Sequence, residues 1–99
     1  MSYSLTIHQE AFEELNKAER FLEARSPGLG SRLRAEIGTC FNYIQTRPLS
    51  YAQRRGGYRY AMVANFPYRV IYAVHGTTVF IAAVYDGKRR PEGWLARRP

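Results

Sequence analysis

The amino-acid sequence predicts an α+β domain of order β-α-α-β-β-β, with a helical hairpin packed on one face of a small, mainly antiparallel sheet. Three observations lead there. Hydrophobic side chains alternate up to Ile7, then recur at helical spacing until Arg47-Pro48. That helical stretch is interrupted once, at Ser26-Pro27-Gly28. Three β-branched and aromatic runs separated by short turns fill the stretch from Tyr58 to Tyr85.

Tyr3, Leu5 and Ile7 alternate with Ser4 and Thr6, the signature of a short half-buried strand over residues 2–7. From Gln9 the apolar residues Ala11, Leu15, Ala18 and Leu22 fall on one side of a helix and Glu10, Glu13, Glu14, Lys17 and Arg20 on the other. This first helix runs to Arg25 and begins without a Ser, Thr, Asp or Asn cap, although its early glutamates suit the positive end of the helix dipole. Ser26 is expected to cap the second helix, with Pro27 in its first turn. Leu29, Leu33, Ile37, Cys40, Phe41 and Ile44 then form one apolar stripe. So short a joint makes the pair antiparallel.

Residues 48–57 read as a loop, followed by strands at 58–64, 68–74 and 78–85, joined by Asn65-Phe66-Pro67 and His75-Gly76-Thr77. Residues 79–84 are apolar on both parities, which places the last strand centrally, with one face under the helix hairpin and the other partly covered. With 99 residues there is room for one core, so residues 1–99 are expected to form a single domain.

An apolar content of 45% is enough to build that core, and no run is long enough for a membrane span or a signal core, which predicts a cytoplasmic protein. Cys40 is the only cysteine and falls on the apolar stripe, where burial is expected instead of reactivity. The net charge of +7 is carried almost wholly by the second half of the chain, and all its cations except Lys17 and Lys88 are arginine. The guanidinium fork suits bidentate contact with phosphate or carboxylate, so an acidic partner is implied, either nucleic acid or protein.

No phosphate loop, zinc pattern or nucleophile elbow is present. Gly28-Leu29-Gly30 and Arg55-Gly56-Gly57 read as turns, and His8 and His75 lie far apart without neighbouring ligands, so neither a metal nor any other cofactor is expected. The informative residues are Arg59 and Arg69, each set among tyrosines on a strand, and the terminal run Asp86-Gly87-Lys88-Arg89-Arg90-Pro91 with Trp94, Arg97 and Arg98 behind it. Lys88, Arg89 and Arg90 beside an indole would grip phosphates and stack a base; they would equally seat an acidic protein segment or keep a tail soluble.

The span Asn65-Phe66-Pro67-Tyr68-Arg69-Val70-Ile71-Tyr72, the apolar strand after it and Asp86-Gly87-Lys88-Arg89-Arg90-Pro91 before Trp94 resemble the C-terminal half of RelE/ParE-superfamily toxins. Ser26-Pro27-Gly28-Leu29-Gly30 is similar to the helix joint of the same group, and the resemblance runs over residues 3–95. It implies a growth-arresting toxin of a type II toxin–antitoxin pair, held by a cognate antitoxin with an acidic and apolar segment. ParE-like members inhibit DNA gyrase. RelE-like members cut mRNA in the ribosome, and for that chemistry the matching residues here would be Arg69 and Arg89, with Asp86 and Trp94 nearby. The paired lysines of RelE on the second strand are replaced by Tyr60 and Met62, and Trp94 stands near, not on, the RelE tyrosine position. Metal-free RNA cleavage needs a base for the 2′-hydroxyl proton, and the sequence offers cations without one. The resemblance therefore points to the ParE-like side, with Arg59, Arg69, Lys88, Arg89, Arg90 and Trp94 as the expected target-binding residues.

Overall fold

A computed structural model describes residues 3–87 and 93–99. β1 (Ser4–Ile7) leads into α1 (Gln9–Arg25) and α2 (Leu29–Thr46), followed by β2 (Arg59–Met62), β3 (Tyr68–His75) and β4 (Thr78–Asp86). The expected order is present, with the sheet arranged β1-β4-β3-β2. β1 pairs parallel with β4, whereas β2–β3 and β3–β4 are antiparallel. Among the described residues no helix is long and apolar enough to cross a membrane.

Local chemistry sets the helix ends differently from the sequence reading. His8 caps α1: its Nδ1 accepts the Glu10 N–H at 3.0 Å. Ser26 closes α1 instead of starting α2, donating its N–H to Leu22. Gly28 is the residue before α2, at φ +88°, a left-handed conformation that glycine adopts without a side-chain penalty. The cap of α2 comes from the other helix, because the Glu23 carboxylate accepts the N–H groups of Gly28 and Gly30 at 2.9 and 3.0 Å. That carboxylate satisfies two donors that the helix itself leaves open and lies at the positive end of the α2 dipole.

Leu15, Leu33, Ile37 and Ile44 of the hairpin pack on Val70, Tyr72, Val79 and Ile81 of the sheet's inner face. Burial pushes the Cys40 thiol up to about 11, in keeping with the expected inertness. The outer face has its own apolar cluster of Ile71, Ala73, Phe80, Ala82 and Ala83 under Tyr58 and Trp94. β4 can serve both clusters because Ala82 is an extra residue: Ile71 pairs with Ala83 but Tyr72 pairs with Ile81. Beyond Ile81 the chain of β1 has already turned into α1, and side chains serve β4 instead of a strand. Arg97 donates to the Ala82 carbonyl at 2.8 Å, and Glu14 accepts the Val84 N–H at 3.0 Å.

Candidate functional site

The strand register decides which arginines can act together. On β2, Arg59 pairs with Tyr72 and Met62 pairs with Arg69, so Arg59 lies on the inner parity and Arg69 on the outer. Arg59 donates to the Tyr51 carbonyl, and Tyr51 packs against the inner cluster. The adjacent Tyr72 phenol is pushed up to about 12 by burial and donates to the Pro48 carbonyl at 2.7 Å. Arg59 and Arg69 therefore lie on opposite faces of the sheet.

Arg69 stands in the centre of an outer-face row, between Met62 on β2 and Tyr85 on β4. Met62 is 56% exposed, giving the row an apolar end open to solvent. A Cβ on Gly87 would come within 3.2 Å of Arg69 Nε, so glycine lets the backbone pass close to the guanidinium there. That Nε is screened from solvent, and among the described residues no acceptor reaches it.

One row away, Tyr60 is held from two sides. The Trp94 ring meets it edge-on at 5.7 Å, and the Arg54 guanidinium lies 5.1 Å from its ring centre. Burial raises the Tyr60 phenol above the ordinary tyrosine range, the Tyr85 phenol raises it further, and the charges of Arg54, Arg55 and Arg69 oppose them. The net direction keeps the hydroxyl protonated at neutral pH, able to donate but not to serve as a base. Arg54 and Arg55 were missed in the sequence reading. The available signal was two arginines before paired glycines, immediately ahead of a strand that places Tyr60 outward.

Trp94 is not a surface platform. It is 4% exposed, meets Tyr58 edge-on at 4.9 Å and belongs to the outer-face core. Arg97 is likewise internal, bonded to Glu14 and Glu10 at 2.9 Å, while its carbonyl accepts from Tyr58 at 3.1 Å. Asp86 pairs with Tyr68 on the parity opposite to Arg69, and it lines a groove of about 360 Å³ on the helix side with Lys17, Ala18, Phe21 and Val84. His75 ends β3 six residues from Arg69, roughly 20 Å along an extended strand. Lys88, Arg89 and Arg90 lie outside the described residues. Among the described residues no three His, Cys, Asp or Glu side chains converge as a metal site requires. Among the described residues, the outer face around Arg69 thus gathers Arg54, Tyr60 and Tyr85, while His8 lies farther off against Phe80.

The model of the ParE toxin of the type II toxin–antitoxin system parDE matches residues 5–91. A search of curated proteins gives no match. Among solved structures, the chromosomal ParDE toxin–antitoxin system from P. aeruginosa aligns with TM-score 0.70 and 19% identity over 85% of this chain and 95% of that one. A free-state arginine mutant of the E. coli toxin RelE aligns with TM-score 0.65 and 22% identity over 94% of this chain and 87% of the other. These likenesses show a shared fold, whereas the family match spans nearly the whole sequence. The chain belongs to the ParE toxin family of type II toxin–antitoxin systems.

Proposed function

We propose that this toxin arrests growth by inhibiting DNA gyrase and is not a nuclease. The observation that carries the reading is that, among the described residues, Arg69 stands apart from Asp86 and His75. Arg69 lies with Tyr60 and Tyr85 on the outer face, Asp86 lies on the other parity, and His75 is at the far end of β3. Cleavage of RNA without a metal needs a base within hydrogen-bond reach of the attacking hydroxyl, and burial raises the Tyr60 phenol on that face above the ordinary tyrosine range. Inhibition by binding asks only for a complementary surface.

The test is to add the purified toxin in parallel to gyrase supercoiling reactions and to programmed ribosomes. Loss of supercoiling, or accumulation of cleaved gyrase–DNA complexes, with intact mRNA is expected. Ribosome-dependent cleavage that disappears in Arg69→Ala, with gyrase unaffected, would replace this reading by mRNA interferase activity.

The cognate antitoxin is proposed to present a segment of acidic and apolar residues to the arginine-rich half of the chain. Complementary charge speeds encounter, so Arg89→Glu with Arg90→Glu should slow association and flatten its salt dependence. On-rates unchanged across salt would place the contact elsewhere.

A further inference from the structure

We infer that the corner where α2 ends, formed by Tyr43, Arg47, Leu49, Tyr51 and Arg59, is the seat of the antitoxin's acidic and apolar segment. This rests on the antitoxin contact proposed above and names its surface, with Arg59 on the sheet face opposite to Arg69.

Tyr43 and Arg47 stand one helical turn apart, so the Arg47 guanidinium comes to lie 5.1 Å from the centre of the Tyr43 ring. The Arg47 carbonyl then accepts the Ser50 N–H at 3.2 Å and the Ser50 hydroxyl at 2.8 Å, closing a turn in which Leu49 is 60% exposed. Tyr51 meets Tyr43 edge-on at 5.9 Å and Tyr72 at 6.4 Å. The bond from the Tyr72 hydroxyl to Pro48 fastens this ladder of rings to the core at one end, while Tyr43 stays 39% exposed at the other. From β2, Arg59 donates to the Tyr51 carbonyl and brings a second guanidinium to the corner.

Packing accounts for the inner end of the ladder but not for the outer one. The dipole of α2 favours a cation at position 47, yet it gives no reason for a tyrosine and a leucine left in solvent beside that cation. Among the described residues, neither Arg47 nor Arg59 has a carboxylate within ion-pair distance. Tyrosine and arginine around an apolar side chain, without lysine or glutamate, is the composition that carries binding energy at protein interfaces. Rings already held in place add contact area with little further loss of freedom. The two unmatched charges call for carboxylates, and Leu49 with the Tyr43 ring calls for an apolar side chain among them. The groove between α1 and β4 is a poorer seat for such a segment, because Glu14 and Asp86 there outnumber Lys17.

Binding of the full chain to the antitoxin encoded beside it is measured by surface plasmon resonance, and far-UV circular dichroism confirms that each variant keeps its fold. Tyr43→Ala and Arg47→Gln should each weaken the complex about tenfold, and Arg47→Glu should slow association most at low salt. Arg20→Gln, on the exposed side of α1, should leave the affinity unchanged. Wild-type affinity in Tyr43→Ala and Arg47→Gln, beside a loss in Arg89→Glu with Arg90→Glu, overturns the corner and leaves the antitoxin reading standing. An equal loss in Arg20→Gln overturns it too, since net charge alone would then explain the effect. Loss confined to Arg69→Gln puts the segment on the outer face and overturns the corner. So does full antitoxin affinity in corner variants that no longer inhibit gyrase, which would give this surface to the target. If the wild-type toxin does not bind that antitoxin, the reading and the corner fall together.

Discussion

Replacing Trp94 by alanine should cost about 4 kcal/mol of folding stability. A buried indole removes roughly 150–250 Å² from water, worth about 4–6 kcal/mol at about 25 cal/mol per Å² as an upper bound. Tryptophan-to-alanine changes in cores cost about 3–5 kcal/mol once partial relaxation is included. The exposure of 4% and the edge-on contacts with Tyr58 and Tyr60 place this site inside that range. Domains of this size hold about 5–15 kcal/mol in total, so Trp94→Ala would sit near its folding limit. Trp94→Phe, expected to lose about 1–2 kcal/mol, gives the measurement a second point. Urea unfolding followed by circular dichroism should show the midpoint of Trp94→Ala lowered by about 2 M, for a slope of about 2 kcal/mol per M. Because Trp94 is the only tryptophan, native fluorescence reports on it alone and should be blue-shifted and poorly quenched by iodide. A loss below about 1 kcal/mol, or water-like emission freely quenched, would put the indole on the surface and refute the burial on which the outer-face core depends.

A Cβ on Gly30 would lie 2.6 Å from the Glu19 carbonyl, so Gly30→Ala should destabilise by about 2 kcal/mol in thermal melts, whereas Gly38→Ala, with nothing near, should gain up to about 1 kcal/mol. Glu14→Gln and Arg97→Gln should couple by about 1–3 kcal/mol in a double-mutant cycle, since Arg97 is only 12% exposed there; additivity would show the pair is idle. Cys40, with its thiol near 11, is on the order of one part in a thousand thiolate at pH 8 and should react with a thiol reagent only after unfolding. The hydrogen bond from Arg34 holds the Glu19 carboxyl below 4.5, so its contribution, under about 1 kcal/mol for so exposed a pair, is present above that pH and lost as pH falls through the native value. The stability gap between wild type and Arg34→Gln should therefore close in acid unfolding below 4.5; a gap that persists would assign it to packing.

The elements were legible because each has one clear period: helical for Leu33, Ile37, Cys40 and Ile44, alternating for β1, and two-faced for β4. What escaped depends on pairings between distant residues. Glu23 caps a helix that begins six residues after it, which no local propensity encodes. Arg59 lies between Tyr58 and Tyr60 and Arg69 follows Tyr68, and only the pairing of β2 with β3 sends them to opposite faces. Trp94 followed a cationic run and was read with it, yet an indole gains more from the uncovered apolar face of Ile71, Phe80 and Ala83 than from solvent. Arg54 was passed over because its turn carries no motif, and its place over Tyr60 exists only once the turn has folded.

Ala82 acts as a phase shift in the strand. Counting by twos from Phe80, which lies on the outer face, would put Val84 and Asp86 there as well, but the extra residue hands those positions to Tyr85. Were β4 to alternate strictly through Ala82, everything beyond it would exchange faces, putting the Asp86 carboxylate on the side of Arg69 and the Tyr85 phenol under α1, whereas deleting Ala82 would leave a regular ladder with the observed faces unchanged. The electrical character of the arginine surface is thus determined by a residue with no charge of its own. Comparison of this chain with relatives by strict alternation would attach the end of β4 to the wrong side of the sheet wherever one of them lacks that insertion.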